Sequence, residues 1–266
     1  MLTKTVVVIL DGLSLNSAKS HMGYLNHLVE KNIFQFRTVK SELPSMSRPL
    51  YETILTGVAP FESGITNNGI SRKSLNQSIF HLVKQAEGVS CAAAYHWISE
   101  LYNSSPFDYM TDTFQDNTDN PIQYGRFYFE DSYPDNHLFL DAQHLLCRYN
   151  PDFLYIHPMN IDEAGHNFGE NSEQHIKKVI ENDVILSNFI PQWIQLGYNI
   201  IVTSDHGMTE HKMHGGTSDL ERFVPLFYYD PNGVINLPNE VIPQLKVAPI
   251  ICKLLNVTPS DKMEDL

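Results

Sequence analysis

The stretch YNIIVTSDHGMTEHKMHGG, residues 198–216, decides the fold. Its first half is a run of β-branched residues with no alternation, the mark of a parallel strand buried on both faces. Its second half crowds Asp205, His206, His211 and His214 into the loop that follows. Parallel strands deliver functional groups from their C-terminal ends into a crevice shared with neighbouring strand ends. Two other stretches repeat the design. VVVILDG puts Asp11 at the end of a first strand, and DFLYIHPMNIDEAGH puts Asp162 and His166 just past another.

The rest of the chain alternates between the two periodicities. TVVVILDGL reads as a strand, MGYLNHLVEKN as a helix, FQFRTVKSELP as a strand cut off by Pro44, and LYETILTGV as a helix entered through a serine-rich turn. SIFHLVKQAEG is amphipathic and VSCAAAYHW is a further strand. HLFLDAQHLLCRYN, the long SEQHIKKVIENDVILSNFIPQWIQLG with an expected interruption near Pro191, and the closing VAPIICKLLN add helices, and FVPLFYYD adds a strand. This alternation predicts an α/β fold: a doubly wound, mostly parallel central sheet with helices on both faces. Without repeats or linkers, residues 1–266 are expected to form a single domain. Residues 103–136, rich in aromatics, Asp, Asn and Pro, break the pattern and form a candidate cap over a substrate.

Composition narrows the function. The apolar share of 42% and charged share of 18% are those of an ordinary globular protein. A net charge of -13, with only 18 Lys and Arg spread along the chain, argues against a nucleic-acid surface. An acidic protein that binds phosphate must neutralise it locally, and metal ions are the obvious means. The three cysteines, Cys91, Cys147 and Cys252, suggest neither a disulfide framework nor a thiolate metal site. No apolar run is long enough to span a bilayer and VVVIL is too short for a signal-peptide core, so the expected compartment is the cytoplasm.

Asp11, Asp162, His166, Asp205, His206 and His214 together are three carboxylates and three imidazoles, a set suited to two zinc-like ions with open positions for substrate. Two ions held about 3.5–4 Å apart can clamp a phosphoryl group through in-line displacement. A nucleophile is available at a helix start, where free N–H groups favour anions. Ser45 and Ser47 both stand there, and capping is the alternative role for each.

These residues resemble the alkaline phosphatase superfamily, in particular its nucleotide pyrophosphatase/phosphodiesterase branch. The first strand with Asp11, then PSMSRPLYETILTGVAPFESGITNNG, DEAGHNFG, SDHGM and MHGG, are similar to that branch's motifs in the same order. The resemblance implies one metal held by Asp162, His166 and His214, and a second by Asp11, Asp205, His206 and the Ser47 oxygen. It also selects Ser47 as the nucleophile that forms a covalent phospho-enzyme, later released by water. His211 fits no ligand position of the family and reads as a surface or supporting histidine.

The chain departs from that pattern at two places. Nucleotide-cleaving relatives carry an aromatic residue directly after the nucleophile and an asparagine two positions further on, and here Arg48 and Leu50 stand instead. Arg48 is either a bidentate phosphate ligand or a solvated arginine. Asn68, beside Asn67 in GITNNG, either reaches the phosphate or makes a turn. Trp97, Tyr124, Phe127, Tyr128 and Phe129 wall an organic group or belong to the core. The expected function is a two-metal hydrolase of small phosphate esters, most simply a phosphodiesterase or pyrophosphatase, with two divalent ions, zinc first and manganese or iron as alternatives. The alternatives are a phosphomonoesterase, a phosphonate or sulfate-ester hydrolase on the same platform, and an inactive metal-containing binder of a phosphorylated ligand. A sulfatase fits less well, because Ser47-Arg48-Pro49 lacks the Cys/Ser-x-Pro-x-Arg order.

Overall fold

Thr5–Ile9 forms the first strand, β1, and every one of its residues is buried. The computed structural model describes residues 2–266. The remaining strands are β2 (Gln35–Lys40), β3 (Ser90–Tyr95), β4 (Phe114–Asp116), β5 (Tyr124–Tyr128), β6 (Phe153–Ile156), β7 (Asn199–Thr203), β8 (Phe223–Tyr229) and β9 (Ile242–Pro243). They make one sheet in the order β4-β5-β3-β6-β1-β7-β8-β2-β9. The five strands from β5 to β7 are mutually parallel, while β4 and β8 run antiparallel to their neighbours. The doubly wound, mostly parallel sheet is therefore present, with antiparallel additions near both edges.

The alternation within β1 shows how the sheet is covered. Val7 and Ile9 pack into one core with Tyr51 and Ile54 of the helix Ser47–Thr56 and Ile250 and Ile251 of the helix Val247–Leu255. Val6 and Val8 pack into the other, with Leu138 of the helix Asp135–Tyr149 and Leu186 and Trp193 of the helix Glu173–Gln195. Burying each of these four aliphatic side chains is worth roughly 1.5–3 kcal/mol. A strand anchored from both faces is a rigid base for the aspartate at its end.

Two expectations change. The helix Glu173–Gln195 runs unbroken through Pro191. Its buried stripe, Leu186, Ile190 and Trp193, continues on both sides of the proline, whose ring sits on the exposed face. Tertiary burial outweighs the lost hydrogen bond. The segment 103–136 is not irregular throughout, since it supplies β4 and β5 and so extends the sheet. Asn103 pins it by donating to Gln115 at 2.6 Å and to the Ile122 carbonyl at 2.8 Å. Strands this short, set among Asp, Asn and Pro turns, leave little periodicity to read.

Candidate active site

The strands β6, β1 and β7 are adjacent, and their C-terminal ends supply most of the site. Asp11 follows β1, Asp205 and His206 follow β7, and the helix Asn160–Phe168 after β6 carries Asp162 and His166 one turn apart on one face. Ser47 opens the helix Ser47–Thr56, and His214 comes from the loop beyond β7. Gly12 lets the pieces approach. It has φ +74°, and a Cβ there would lie 2.9 Å from the Cα and Cβ of Asp162. The Glu221 carboxylate holds the His214 loop by accepting the Gly216 N–H at 2.7 Å and the Ser218 hydroxyl at 2.5 Å.

Six sequence-predicted ligands come together in two overlapping clusters. In the first, His166 Nε2 lies 3.4 Å from Asp162 Oδ2 and 3.1 Å from His214 Nε2, and His214 Nε2 lies 3.8 Å from Asp162 Oδ1. In the second, His206 Nε2 lies 3.5 Å from Asp11 Oδ1 and 3.2 Å from Asp205 Oδ2. Ser47 Oγ is 3.0 Å from His206 Nε2. His206 bridges the clusters, its ring stacked 3.8 Å from that of His214.

The hydrogen bonding around the imidazoles orients them. Each Nδ1 faces a backbone carbonyl: His206 that of Gly207 at 3.0 Å, His214 that of Ser45 at 2.8 Å and His166 that of Lys212 at 3.1 Å. A carbonyl only accepts, so each Nδ1 carries the proton and each Nε2 turns its lone pair inward. Burial lowers the His214 pKa to about 4 and pushes that of His206 well down, which keeps both neutral. Facing them, Asp11 Oδ1, Asp162 Oδ1 and Asp205 Oδ2 are buried oxygens with no hydrogen-bond partner.

Burial raises the Asp11 pKa to about 7 and lifts those of Asp162 and Asp205 well above the usual range, with the neighbouring aspartates adding to the last two. Partnerless acceptors converging from three carboxylates and three imidazoles are costly unless something positive lies among them. Each cluster offers one nitrogen or more and one carboxylate or more, the donor mixture that zinc, manganese or iron accepts. The residues fit two divalent cations.

Several neighbours of the site are not evident from the sequence. Asp11 Oδ2 accepts from the Tyr51 hydroxyl and from His157 Nε2, the latter at 3.0 Å. His157 stands directly after β6, so the strand-end rule that singles out Asp11 also points to it. Tyr51 lies one turn after Ser47 on the same helix face. Ser45 turns away from the chemistry, its hydroxyl donating to the Gly216 carbonyl at 2.7 Å.

Arg48 is buried and committed. Its Nη2 donates to Glu100 at 2.7 Å, its Nη1 to the Ile70 carbonyl at 3.0 Å, and its guanidinium lies 4.5 Å from the centre of the Trp97 ring. The fork expected to grip a phosphate, or to lie in solvent, is occupied within the protein. Asn68 accepts the Arg48 backbone N–H at 3.0 Å through its side-chain oxygen, beside Ser47. His211 is exposed. Phe127 and Tyr128 belong to the core, and Phe129 is exposed.

A family model described as "Type I phosphodiesterase / nucleotide pyrophosphatase" matches residues 5–254. The catalytic subunit of human GPI ethanolamine phosphate transferase 3 is 33% identical over 110 residues, which is 40% of this chain and 10% of that protein. The catalytic subunit of human GPI ethanolamine phosphate transferase 2 is 25% identical over 244 residues, 85% of this chain and 23% of that protein. The chain therefore spans less than a third of the length of these relatives. Among solved structures, murine ectonucleotide pyrophosphatase / phosphodiesterase 5 matches with a TM-score of 0.71 and 14% identity, over 97% of this chain and 96% of that one. An inactive form of that murine protein is seen in complex with AMP. At such identity the likeness is one of fold.

Proposed function

Since the chain belongs to the type I phosphodiesterase / nucleotide pyrophosphatase family, we propose that it cleaves phosphate esters through Ser47 beside two divalent cations. The observation that carries this reading is the set of unpartnered carboxylate oxygens, Asp11 Oδ1, Asp162 Oδ1 and Asp205 Oδ2, gathered around inward-facing histidine nitrogens. Asp162, His166 and His214 would hold one ion, and Asp11, Asp205 and His206 would hold the other together with the Ser47 oxygen. Such ions, when bound, lower the pKa of a hydroxyl and offset charge on phosphate oxygens.

The chain's own groups do the rest. Ser47 begins a helix, whose dipole favours an incoming phosphate, while the N–H groups that follow are already taken, that of Arg48 by Asn68 and that of Leu50 by the Met46 carbonyl, and Pro49 has none. Ser47 Oγ gives up its proton to solvent water and forms the new bond to phosphorus while the bond from phosphorus to the leaving oxygen breaks, and the departing oxygen takes up a proton from water when it is basic enough. Asn68, tethered to the Arg48 N–H, offers its amide NH₂ to a phosphate oxygen. One such donor can be worth roughly 3–4 kcal/mol in the transition state. Water then attacks the seryl phosphate, which keeps the second ester group when the substrate is a diester; the bond from phosphorus to Oγ breaks and Oγ takes back a proton, restoring Ser47.

A second reading is a transferase, in which an alcohol takes the place of water. It is favoured by the curated relatives, which carry ethanolamine phosphate transferase in their names. The two share every step up to the phosphoserine. The test compares metal-loaded protein and Ser47→Ala on bis(p-nitrophenyl) phosphate and p-nitrophenyl phosphate. The variant is expected to lose turnover by about a thousandfold or more while retaining its metal. Wild-type turnover by Ser47→Ala would refute the nucleophile. Product partitioning toward an added alcohol, at unchanged p-nitrophenol release, would identify the transferase.

A further inference from the structure

The second cluster is held from behind by side chains outside the ligand set. β7 ends at Thr203, and the loop 204–207 that carries Asp205 and His206 leaves the sheet there. Asp205 and His206 are fully buried, so their carbonyls, having lost ladder partners, need donors from elsewhere. The His206 carbonyl accepts from Ser204 Oγ at 2.7 Å. The Asp205 carbonyl accepts from the Ser41 hydroxyl, just past β2, and from Gln244 Nε2 at 2.7 Å.

Gln244 begins the single 3-10 turn Gln244–Lys246 directly after β9, 39 residues beyond Asp205. It is fully buried, and both polar atoms of its amide are used: Nε2 also meets Ser41 Oγ at 3.3 Å, and Oε1 accepts the Glu42 N–H at 3.0 Å. β9 itself meets β2 through the pairs Val39 with Ile242 and Lys40 with Pro243. The amide carries that edge attachment on to the strand end where Asp205 stands.

The consequence falls on the direction of two candidate ligands. Asp205 is fixed at its carbonyl by Gln244 and Ser41, and at its side chain by the Gly12 N–H, 3.3 Å from Oδ1. Oδ2 is left buried and without a hydrogen-bond partner, 3.2 Å from His206 Nε2. Turning the peptide plane between Asp205 and His206 would swing the imidazole away from that oxygen, and two donors hold the plane against the turn. The first cluster is held differently, with Asp162 and His166 on the helix Asn160–Phe168 and His214 on the Ser45 carbonyl.

We propose that Gln244 is a positioning residue for the second cation: its amide sets the peptide between Asp205 and His206 so that Oδ2 and Nε2 face one ion. The edge segment around β9 is then needed for that ion to bind at full affinity. This rests on the two-cation reading above. Gln244→Met keeps the length of the side chain and removes its donor. Zinc is titrated against a chromophoric chelator in two backgrounds, Asp162→Ala, which retains Asp11, Asp205 and His206, and Asp205→Ala, which retains Asp162, His166 and His214. Adding Gln244→Met should weaken zinc about tenfold in the first background, the lower end of the range for groups that orient metal ligands, and leave the second unchanged.

A loss of packing alone would weaken both backgrounds alike, or lower the thermal stability of the metal-free protein and change neither affinity; either result overturns the proposal. Where a background binds no zinc, the two constants of the otherwise unaltered protein are compared, and only one of them should move. Ser41→Ala removes the other donor and decides the matter if Gln244→Met does not fold: it should weaken the same ion and spare the other, and an unselective effect refutes the tie. Wild type that takes up fewer than two zinc ions would remove the two-cation reading itself, and the role of Gln244 with it. Two ions in wild type without a selective loss in the variants would remove the role of Gln244 alone.

Discussion

Replacing Tyr51 with phenylalanine removes one of the two hydrogen bonds to Asp11 Oδ2 and leaves the other, from His157 Nε2 at 3.0 Å, in place. Both donors act on the oxygen that faces away from the clusters, so they aim the partnerless Oδ1 at a cation. A hydrogen bond to a buried charged group contributes about 1.5–3 kcal/mol, equivalent to roughly 10–100-fold in affinity. Outer partners of metal ligands have effects of the same size, about 10–100-fold. One of the two ions should therefore bind Tyr51→Phe some tens of times more weakly, roughly midway in that range.

The pH dependence has a definite sign. Burial raises Asp11 from 3.8 to about 7, and the Tyr51 bond is the largest influence opposing that rise. A raised carboxyl pKa means that the metal-free folded chain holds a proton between those values that the unfolded chain has lost, so metal-free stability falls as pH rises through this window. A cation needs the ionised form. With a pKa of about 7, lowering the pH from 8 to 6 should weaken binding about tenfold in wild type. Without the Tyr51 hydroxyl the pKa moves higher still, and the loss must be larger. Zinc competition titrations against a chromophoric chelator at pH 6, 7 and 8, with elemental analysis for stoichiometry, give both quantities. Two ions bound at wild-type affinity across that range would refute the role given to Tyr51.

Two further outcomes are expected. Gly12→Ala forces a side chain to φ +74° with its Cβ 2.9 Å from Asp162, so thermal unfolding should show at least about 1–2 kcal/mol of destabilisation, and zinc titration should show a weakened Asp162 cluster; unaltered affinity would mean that the close approach of β1 and the Asp162 helix is not needed. Glu100→Gln strands the Arg48 cation, whose ion pair has side chains only 4% and 7% exposed, so denaturant unfolding should lose about 3–5 kcal/mol; a loss below about 1 kcal/mol, as for a surface pair, would show that Arg48 finds another partner.

Much of the site was legible because its residues obey a local rule. Asp11 and Asp205 each end a strand whose apolar run is unmistakable, and Asp162 and His166 share a helix face by spacing alone. Choosing between Ser45 and Ser47 is different. Both precede or open one helix, and no local rule separates them; the family resemblance selects Ser47, and the tertiary contacts differ, Ser47 Oγ meeting His206 while Ser45 binds Gly216. Arg48 was open to two readings in the sequence because its partners, Glu100 and Ile70, lie 52 and 22 residues away. Tyr51 and His157 carry no role in the sequence reading, and both are buried. Their polar atoms become informative only once Asp11 is seen to lack any other partner for Oδ2. Likewise, Pro191 signals a break that packing on both sides of it overrides.

On the proposed reading, the sheet order separates the residues that would act on phosphorus from those that would choose the substrate. The candidate ligands come from the ends of β6, β1 and β7, strands buried on both faces, and they are braced by backbone carbonyls that no side-chain substitution removes. The residues beside them, Tyr95 and Trp97, come from the end of β3 and the residues after it, nearer the sheet edge, where β4 and β5 are joined by short turns. The second group adds no residue to the two clusters of candidate ligands. This is how one platform can appear both in a murine protein seen with AMP and in relatives named for ethanolamine phosphate transfer. In this chain the step between the two groups is Arg48. It is joined through the backbone to Ser47 and held by Glu100 over Trp97, so the residue after Ser47 closes an aromatic face instead of offering one. Freeing that face requires breaking a buried ion pair. The covered Trp97 face is therefore tied to the stability of the fold.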